Sequence, residues 1–323
     1  MIQSKYINLI KISASWLAGG ISGKARVWGY PASLGIELSN HCNLRCPHCS
    51  SGAGALTRQR GYMSEELLAA IVSEFSGRVF GSMLYFQGEP MMHPRFFDML
   101  RLALPLKPVI STNGHFLDRQ SSHLLAVLSP PLVIVSLDGI SDDSYNAYRV
   151  GGNLEKVKEG IGYLCEALAR EKSTTRVEIQ VLVNSLNEGE LKVIRSFAKG
   201  KRAGIRYKSM QLNCEEGDHK LLPKRNIYRR YNLRGKELRI KRWPVLSCYR
   251  LWTRPVITWD GLLLPCCFDK DGEYVMGDLK LQKFSEIWYS EKYRDFRQKL
   301  LHNRAGIDIC SNCTNGLPPW IRR

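Results

Sequence analysis

From residue 34 onward the chain alternates short runs of aliphatic, β-branched and aromatic residues with longer stretches whose apolar positions recur every three or four residues. Runs of the first kind, bounded by Gly, Asn or Asp, read as buried strands, and stretches of the second kind read as one-faced helices. The pattern predicts strands over 34–40 (LGIELSN), 82–87, 108–113, 132–138, 176–184 and 206–212. Helices are expected around 64–77, 94–104, 118–128, 153–171 and 188–199. Strict alternation of strand and helix is the signature of βα units feeding a parallel sheet. At ~30 residues per unit, the roughly 180 residues from 34 to 214 hold six units, where a closed eight-unit barrel takes ~250. The expected fold class is therefore α/β, a partial (β/α)6 TIM-like barrel, with chemistry at the C-terminal ends of its strands.

The ends of the chain read differently. Residues 1–33 are too short for a domain, but Tyr6, Leu9, Ile10 and Leu17 can share one helical face, expected to pack against the barrel. After residue 214 the βα rhythm stops. The boundaries drawn from this are an amphipathic segment 1–33, the barrel 34–214, a basic linker 215–247 and a cysteine-bearing domain 248–323.

Charge sharpens the view of the linker. The formal net charge is +17, and residues 219–242 carry ten Lys or Arg against a single acid, Glu237. Such a segment with Tyr228 and Tyr231 interleaved suits a phosphorylated or otherwise anionic partner, an acidic membrane surface or nucleic acid, or is simply a solvated linker. No uncharged apolar run approaches the ~20 residues that span a bilayer, because Lys5, Lys11 and Lys24 interrupt the N-terminal stretch. Peripheral membrane contact stays open.

The ten cysteines fall mainly in two distant groups. A long strand-helix chain with tight cysteine spacing favours metal ligation in a reducing cytoplasm over an exported disulfide scaffold. Cys42, Cys46 and Cys49 form C-NLR-C-PH-C in a loop just after the first strand. A closed [4Fe-4S] site takes four thiolates, so three leave one iron open to a chelating molecule. His48 offers a zinc alternative, but its place between two of the cysteines makes joint ligation awkward.

This CxxxCxxC spacing resembles the radical S-adenosylmethionine (SAM) superfamily. The resemblance implies that the open iron binds the amino and carboxylate groups of SAM, and that one electron releases a 5′-deoxyadenosyl radical that abstracts hydrogen from carbon. One βα unit later, Gly88, Glu89 and Pro90 resemble the family's GGEP motif, with Gln87 in place of its first glycine. Asn113 in STNG, Ser136 and Asp138 in SLDG, and Arg149 in NAYRVGGN stand where the family contacts the ribose or carboxylate of SAM. Taken as bare sequence, Asn-Gly and Asp-Gly are also ordinary strand-end turns.

The second group comprises Cys248, Cys266, Cys310 and Cys313, with Cys267 as an alternative to Cys266. A CxxC pair plus two distant thiols can close a four-ligand site. Gly261 stands five positions before Cys266, and this GxxxxC element resembles the SPASM or shorter "twitch" extension of radical SAM enzymes, which holds auxiliary [4Fe-4S] clusters. The number of thiols suits one such cluster, as in the radical SAM dehydrogenase of aminocyclitols. Sulfatase-maturing relatives place an acid after the GxxxxC cysteine, where this chain has Cys267. Asp269 and Asp271 in FDKDG are the nearby candidates for a base. Cys165 and Cys214 read as isolated structural thiols.

The leading expectation is a radical SAM oxidoreductase that dehydrogenates a small anionic or sugar-like substrate. It implies SAM, its [4Fe-4S] cluster, one auxiliary [4Fe-4S] cluster as electron acceptor, and a reducing donor such as flavodoxin or ferredoxin. Peptide modification is the alternative within the class. A zinc-stabilised nucleic-acid binder is the alternative outside it, and under the leading expectation nucleic acid is not a partner.

Overall fold

The computed structural model describes residues 4–212, 218–241 and 248–313. The strands, in chain order, are β1 (Ser33–Ile36), β2 (Gly81–Met83), β3 (Pro108–Thr112), β4 (Leu132–Ser136), β5 (Arg176–Val183), β6 (Gly204–Ser209), β7 (Tyr231–Arg234), β8 (Glu237–Ile240), β9 (Val256–Ile257), β10 (Leu262–Leu264) and β11 (Gly277–Asp278). The helices are α1 (Lys5–Ser22), α2 (Glu65–Phe75), α3 (Phe96–Ala103), α4 (Arg119–Leu128), α5 (Asp142–Tyr148), α6 (Leu154–Arg170), α7 (Leu191–Gly200), α8 (Arg250–Thr253), α9 (Phe284–Trp288), α10 (Glu291–Asn303) and α11 (Asp308–Ser311). All six expected strands and all five expected helices of the βα region are present.

Their ends are set by local chemistry. Ser64 caps α2 by accepting from the Leu67 amide, and Glu65 and Glu66 sit in the first turn, where the helix dipole favours negative charge. Asp118 and Ser121 close a reciprocal capping box on α4, and Asn153 caps α6. The apolar stripe Leu154, Val157, Ile161, Leu164 and Leu168 is the buried side of α6. Helix α5 was not expected; its seven residues are too few to show a period, although Ser141 caps it and Asp142 and Asp143 open it.

The chain forms two units. One comprises Met1–Asn40, Leu56–Pro108 and Trp243–Gly316. Here β1 lies parallel to both β2 and β9, while β9–β10 and β10–β11 are antiparallel. The segments before residue 34 and after residue 248 thus share a unit, whereas the sequence had set them apart. The other unit comprises His41–Ala55, Val109–Arg242 and Leu317–Arg323. Its strands β3, β4, β5 and β6 are parallel in sequence order, and β7 and β8 form an antiparallel hairpin turning at Gly235, whose φ of 61° is in the left-handed region.

Two expectations are corrected. Helix α1 exists, but Tyr6, Ile10 and Leu17 are exposed, and the face turned inward is Asn8, Ile12, Ser15 and Gly19. The polar members of that face are satisfied: the Asn8 side chain donates to the Tyr30 carbonyl and accepts from its amide, and Ser15 donates to the Ile12 carbonyl. The described part of the basic segment is no free linker either. Leu222 and Tyr231 are buried, and Leu238 and Ile240 half-buried, in a cluster with Leu44, Cys46, Tyr148, Met210 and Leu212. Tyr231 locks this arrangement by exchanging hydrogen bonds through its hydroxyl with the amide and carbonyl of Leu212.

Candidate metal centres

Cys42, Cys46 and Cys49 follow β1 in a loop held from several directions. The Cys49 amide donates to the Cys46 carbonyl, Arg45 donates to the Val150 carbonyl, and the Leu44 amide approaches the Cys42 sulfur at 3.5 Å. Asn43 accepts from the Asn113 side chain at 2.8 Å, and Asn113 in turn accepts from the backbone and ring of His115. The loop passes so close to Gly52 that a Cβ there would lie 2.6 Å from the Cys46 nitrogen. Gly52→Ala is therefore expected to displace the cysteine loop, at a cost of ~1–3 kcal/mol as for other overpacked sites, and to lower reconstituted iron per chain. Iron analysis beside thermal unfolding would check it; an unchanged iron content would disprove it.

No two of the nine described cysteines form a disulfide. Among the described residues, no three His, Cys, Asp or Glu side chains converge as the ligands of one metal ion would. A four-iron cluster makes another demand, because each thiolate takes a separate iron. The donor set fits it. Burial pushes the Cys46 thiol up to about 11, with further upward pressure from Cys49 and Cys42, while Arg149 pulls it down. Buried thiolates that repel one another are held together by a cationic metal core.

Arg149 meets this group from the end of α5. Asp138 is fully buried and accepts from Arg149 Nε at 2.7 Å and Nη2 at 2.5 Å, while its other oxygen accepts from the Leu182 amide. Asp138 thus has both oxygens engaged, one of them by the arginine, whose guanidinium stays charged because desolvation is outweighed by Asp138 together with Cys46, Tyr148 and Tyr145. Ser136 is buried at the end of β4. In the other unit, Gly88 takes a φ of 74°, Glu89 is buried and accepts from the Met91 amide, and Pro90 opens a 3-10 turn. A glycine is required at the first of these positions.

Cys248, Cys266, Cys310 and Cys313 also come together. The Cys266 thiol is raised well above its ordinary value by burial, then by Cys267, Cys248 and Cys313; burial pushes Cys310 up to about 12, with Cys313 and Cys248 adding to it. The Phe268 amide points at the Cys266 sulfur at 3.5 Å, the same N–H···S arrangement found at Cys42. Cys267 is 2.6 Å from Arg250 Nη1. That contact gives Cys267 a cationic partner in the half-buried Arg250, while Cys267 stays beside Cys266 and is the thiol that raises it most.

Both aspartates of FDKDG are engaged by backbone amides, and burial raises the Asp269 carboxyl. Asp269 is fully buried and accepts from the Glu273 and Tyr274 amides, and Asp271 accepts from the amide and hydroxyl of Thr57. Asp269 supports its own turn, and Asp271 ties that turn to the distant segment at Thr57. Sequence reasoning also missed the buried bidentate pair of Glu37 with Arg58, at 2.7 and 2.9 Å, because 21 positions separate its members. Cys165 is half-buried, and Cys214 lies outside the described residues.

A parallel α/β core with a three-cysteine loop after its first strand and a four-thiol C-terminal group defines a class, and the chain belongs to it: residues 36–198, half of the chain, match the radical SAM superfamily, and residues 248–314 match the SPASM iron-sulfur cluster-binding domain. The protein is therefore a radical SAM enzyme that uses SAM and a [4Fe-4S] cluster, with auxiliary iron-sulfur binding in its SPASM domain. It is 27% identical over 87% of its length to the tungsten-containing aldehyde ferredoxin oxidoreductase cofactor-modifying protein of Pyrococcus furiosus, covering 86% of that protein. It is 23% identical over 87% of its length to the SAM-dependent 2-deoxy-scyllo-inosamine dehydrogenase of Niallia circulans, covering 91% of it. The crystal structure of BtrN in complex with AdoMet and 2-DOIA shares its fold with a TM-score of 0.57 and 19% identity, over 89% of this chain and 94% of that one. The expected α/β class with a mostly parallel sheet is the one observed.

Proposed function

We propose that the chain is an oxidoreductase that dehydrogenates a small anionic or sugar-like substrate. When bound, SAM with the first cluster supplies a radical that takes one hydrogen atom from carbon, and the auxiliary cluster supplies an acceptor for the electron left when a proton departs. Cys42, Cys46 and Cys49 would hold the first cluster. The turn Gly88–Glu89–Pro90, Asn113, Ser136 and Arg149 are assigned to SAM, with Asp138 fixing Arg149 in its charged form. Cys248, Cys266, Cys310 and Cys313 would hold the auxiliary cluster.

The observation that carries the reading is the gathering of three buried thiols and the half-buried Cys248, with an N–H donor on Cys266, in a chain similar along most of its length to a dehydrogenase. Hydrogen bonds to sulfur and burial are the levers that set a cluster's potential. The basic segment supports an anionic substrate. Its apolar residues pack on the cysteine loop while Lys224, Arg225, Arg234 and Arg239 remain exposed.

The test is an anaerobic assay of candidate polyols, sugar phosphates and peptides for substrate-dependent 5′-deoxyadenosine, with mass analysis of the product. The expected result is one 5′-deoxyadenosine per product molecule, that product being lighter than a small substrate by two hydrogens. Turnover confined to peptides, or a product at the substrate's oxidation level, would overturn the reading.

A further inference from the structure

We propose that α1 is an interfacial helix that seats the enzyme on an anionic lipid bilayer. The inference is independent of the substrate and rests on an inverted amphipathic pattern. The inward face, Asn8, Ile12, Ser15 and Gly19, is mostly polar or small, Leu9 and Trp16 flank it half-buried, and the other large apolar side chains point away from it. At 100° per residue, Ile7, Ile10, Ala14, Leu17 and Ile21 form one stripe opposite the buried face, with Tyr6 at its edge. Exposure is 50% at Ile7, 69% at Ile10, 43% at Leu17 and 79% at Ile21. Apolar residues scattered singly over a surface need no partner, but a stripe running from Ile7 to Ile21 along one helix is a continuous patch.

Charge selects the occupant. The first acid of the chain is Glu37; before it stand Lys5, Lys11, Lys24 and Arg26. Lys11 borders the stripe, where its stem can lie along apolar surface while the ammonium reaches headgroups. Trp28, 47% exposed just beyond the helix, is a residue type suited to the bilayer interface. A second copy of the helix would fit the stripe by shape, but pairing would bring lysines together with no acid on α1 to neutralise them. An anionic leaflet supplies both an apolar layer and the opposite charge. No helix among the described residues is long and apolar enough to cross a membrane, so the contact is one of lying on the surface.

The experiment is co-sedimentation of reconstituted enzyme with vesicles of phosphatidylcholine alone or mixed with phosphatidylglycerol. The wild type is compared with I10S/L17S/I21S, which keeps every charge and leaves the inward face of α1 intact. The wild type is expected to partition at least ~10-fold better onto the anionic vesicles. The variant should lose that partitioning by ~100-fold or more, while keeping its iron content and helical circular dichroism. Equal sedimentation of the two proteins would assign binding to the general basic charge and overturn the proposal. So would absence of wild-type binding, or a wild-type dimer that the variant dissolves, which would make a second copy the occupant.

Discussion

Cys42→Ala is expected to abolish 5′-deoxyadenosine formation, with a fall of at least ~1000-fold, and to remove about four of the roughly eight irons that two four-iron clusters would hold. With two thiolates left, the loop cannot hold three corners of a cluster. Its other supports, the Asn43–Asn113 bond and the Arg45–Val150 bond, do not involve sulfur, so the fold itself should survive. Cys165→Ala is the matched control, because Cys165 lies on α6 and not in the cysteine loop. Iron and sulfide per chain, measured beside SAM cleavage with an artificial reductant, separate the outcomes. If Cys42→Ala cleaves SAM at the wild-type rate, the first cluster is not on this loop.

The parts of this architecture legible in the sequence are those in which spacing and chemistry are local. The six βα strands announce themselves as apolar runs, and three cysteines within eight positions announce a metal loop. Strand lengths were overread where the site begins. The run LGIELSN stays buried through Asn40, yet pairing stops at Ile36, because Leu38 and Ser39 turn their hydrogen bonds to Met63 and Tyr62. Burial without ladder pairing looks like a strand to any hydrophobicity pattern.

The other misses have related causes. The β7–β8 hairpin was hidden because cations crowd a segment whose few apolar residues, Tyr231, Leu238 and Ile240, anchor it to the cysteine loop. Helix α1 was assigned the wrong inner face because Asn8 and Ser15 find hydrogen-bond partners there, and satisfied polar groups can be buried cheaply. Pairs such as Asp138 with Arg149 and Glu37 with Arg58 carry no sequence signature, since folding alone brings them together. Equally, the contact of Cys267 with Arg250 carries no sequence signature.

The auxiliary group gives the second large effect. Cys310→Ala combined with Cys313→Ala should leave SAM cleavage measurable while reducing substrate turnover to background. The paired change matters, since a single loss could be made good by water or by Cys267 as a substitute ligand. Cys310 lies in α11 and Cys313 just beyond its end, where the Cys313 amide donates to the Cys310 carbonyl and Arg304 donates to the Cys313 carbonyl. Neither backbone bond depends on sulfur, so local geometry should persist. Burial keeps the Cys310 thiol neutral in the iron-free protein, so its replacement by Ala removes no charge, and iron-free variant and iron-free wild type are expected to unfold alike. A Cys267→Ala variant sharpens the result: if Cys266 is the ligand, it keeps the full iron content and loses only the contact to Arg250. Normal substrate oxidation in the double variant would show that the electron leaves the substrate by another route. A matching loss of SAM cleavage would show that the two cysteine groups cannot be separated, and either finding would end the acceptor assignment.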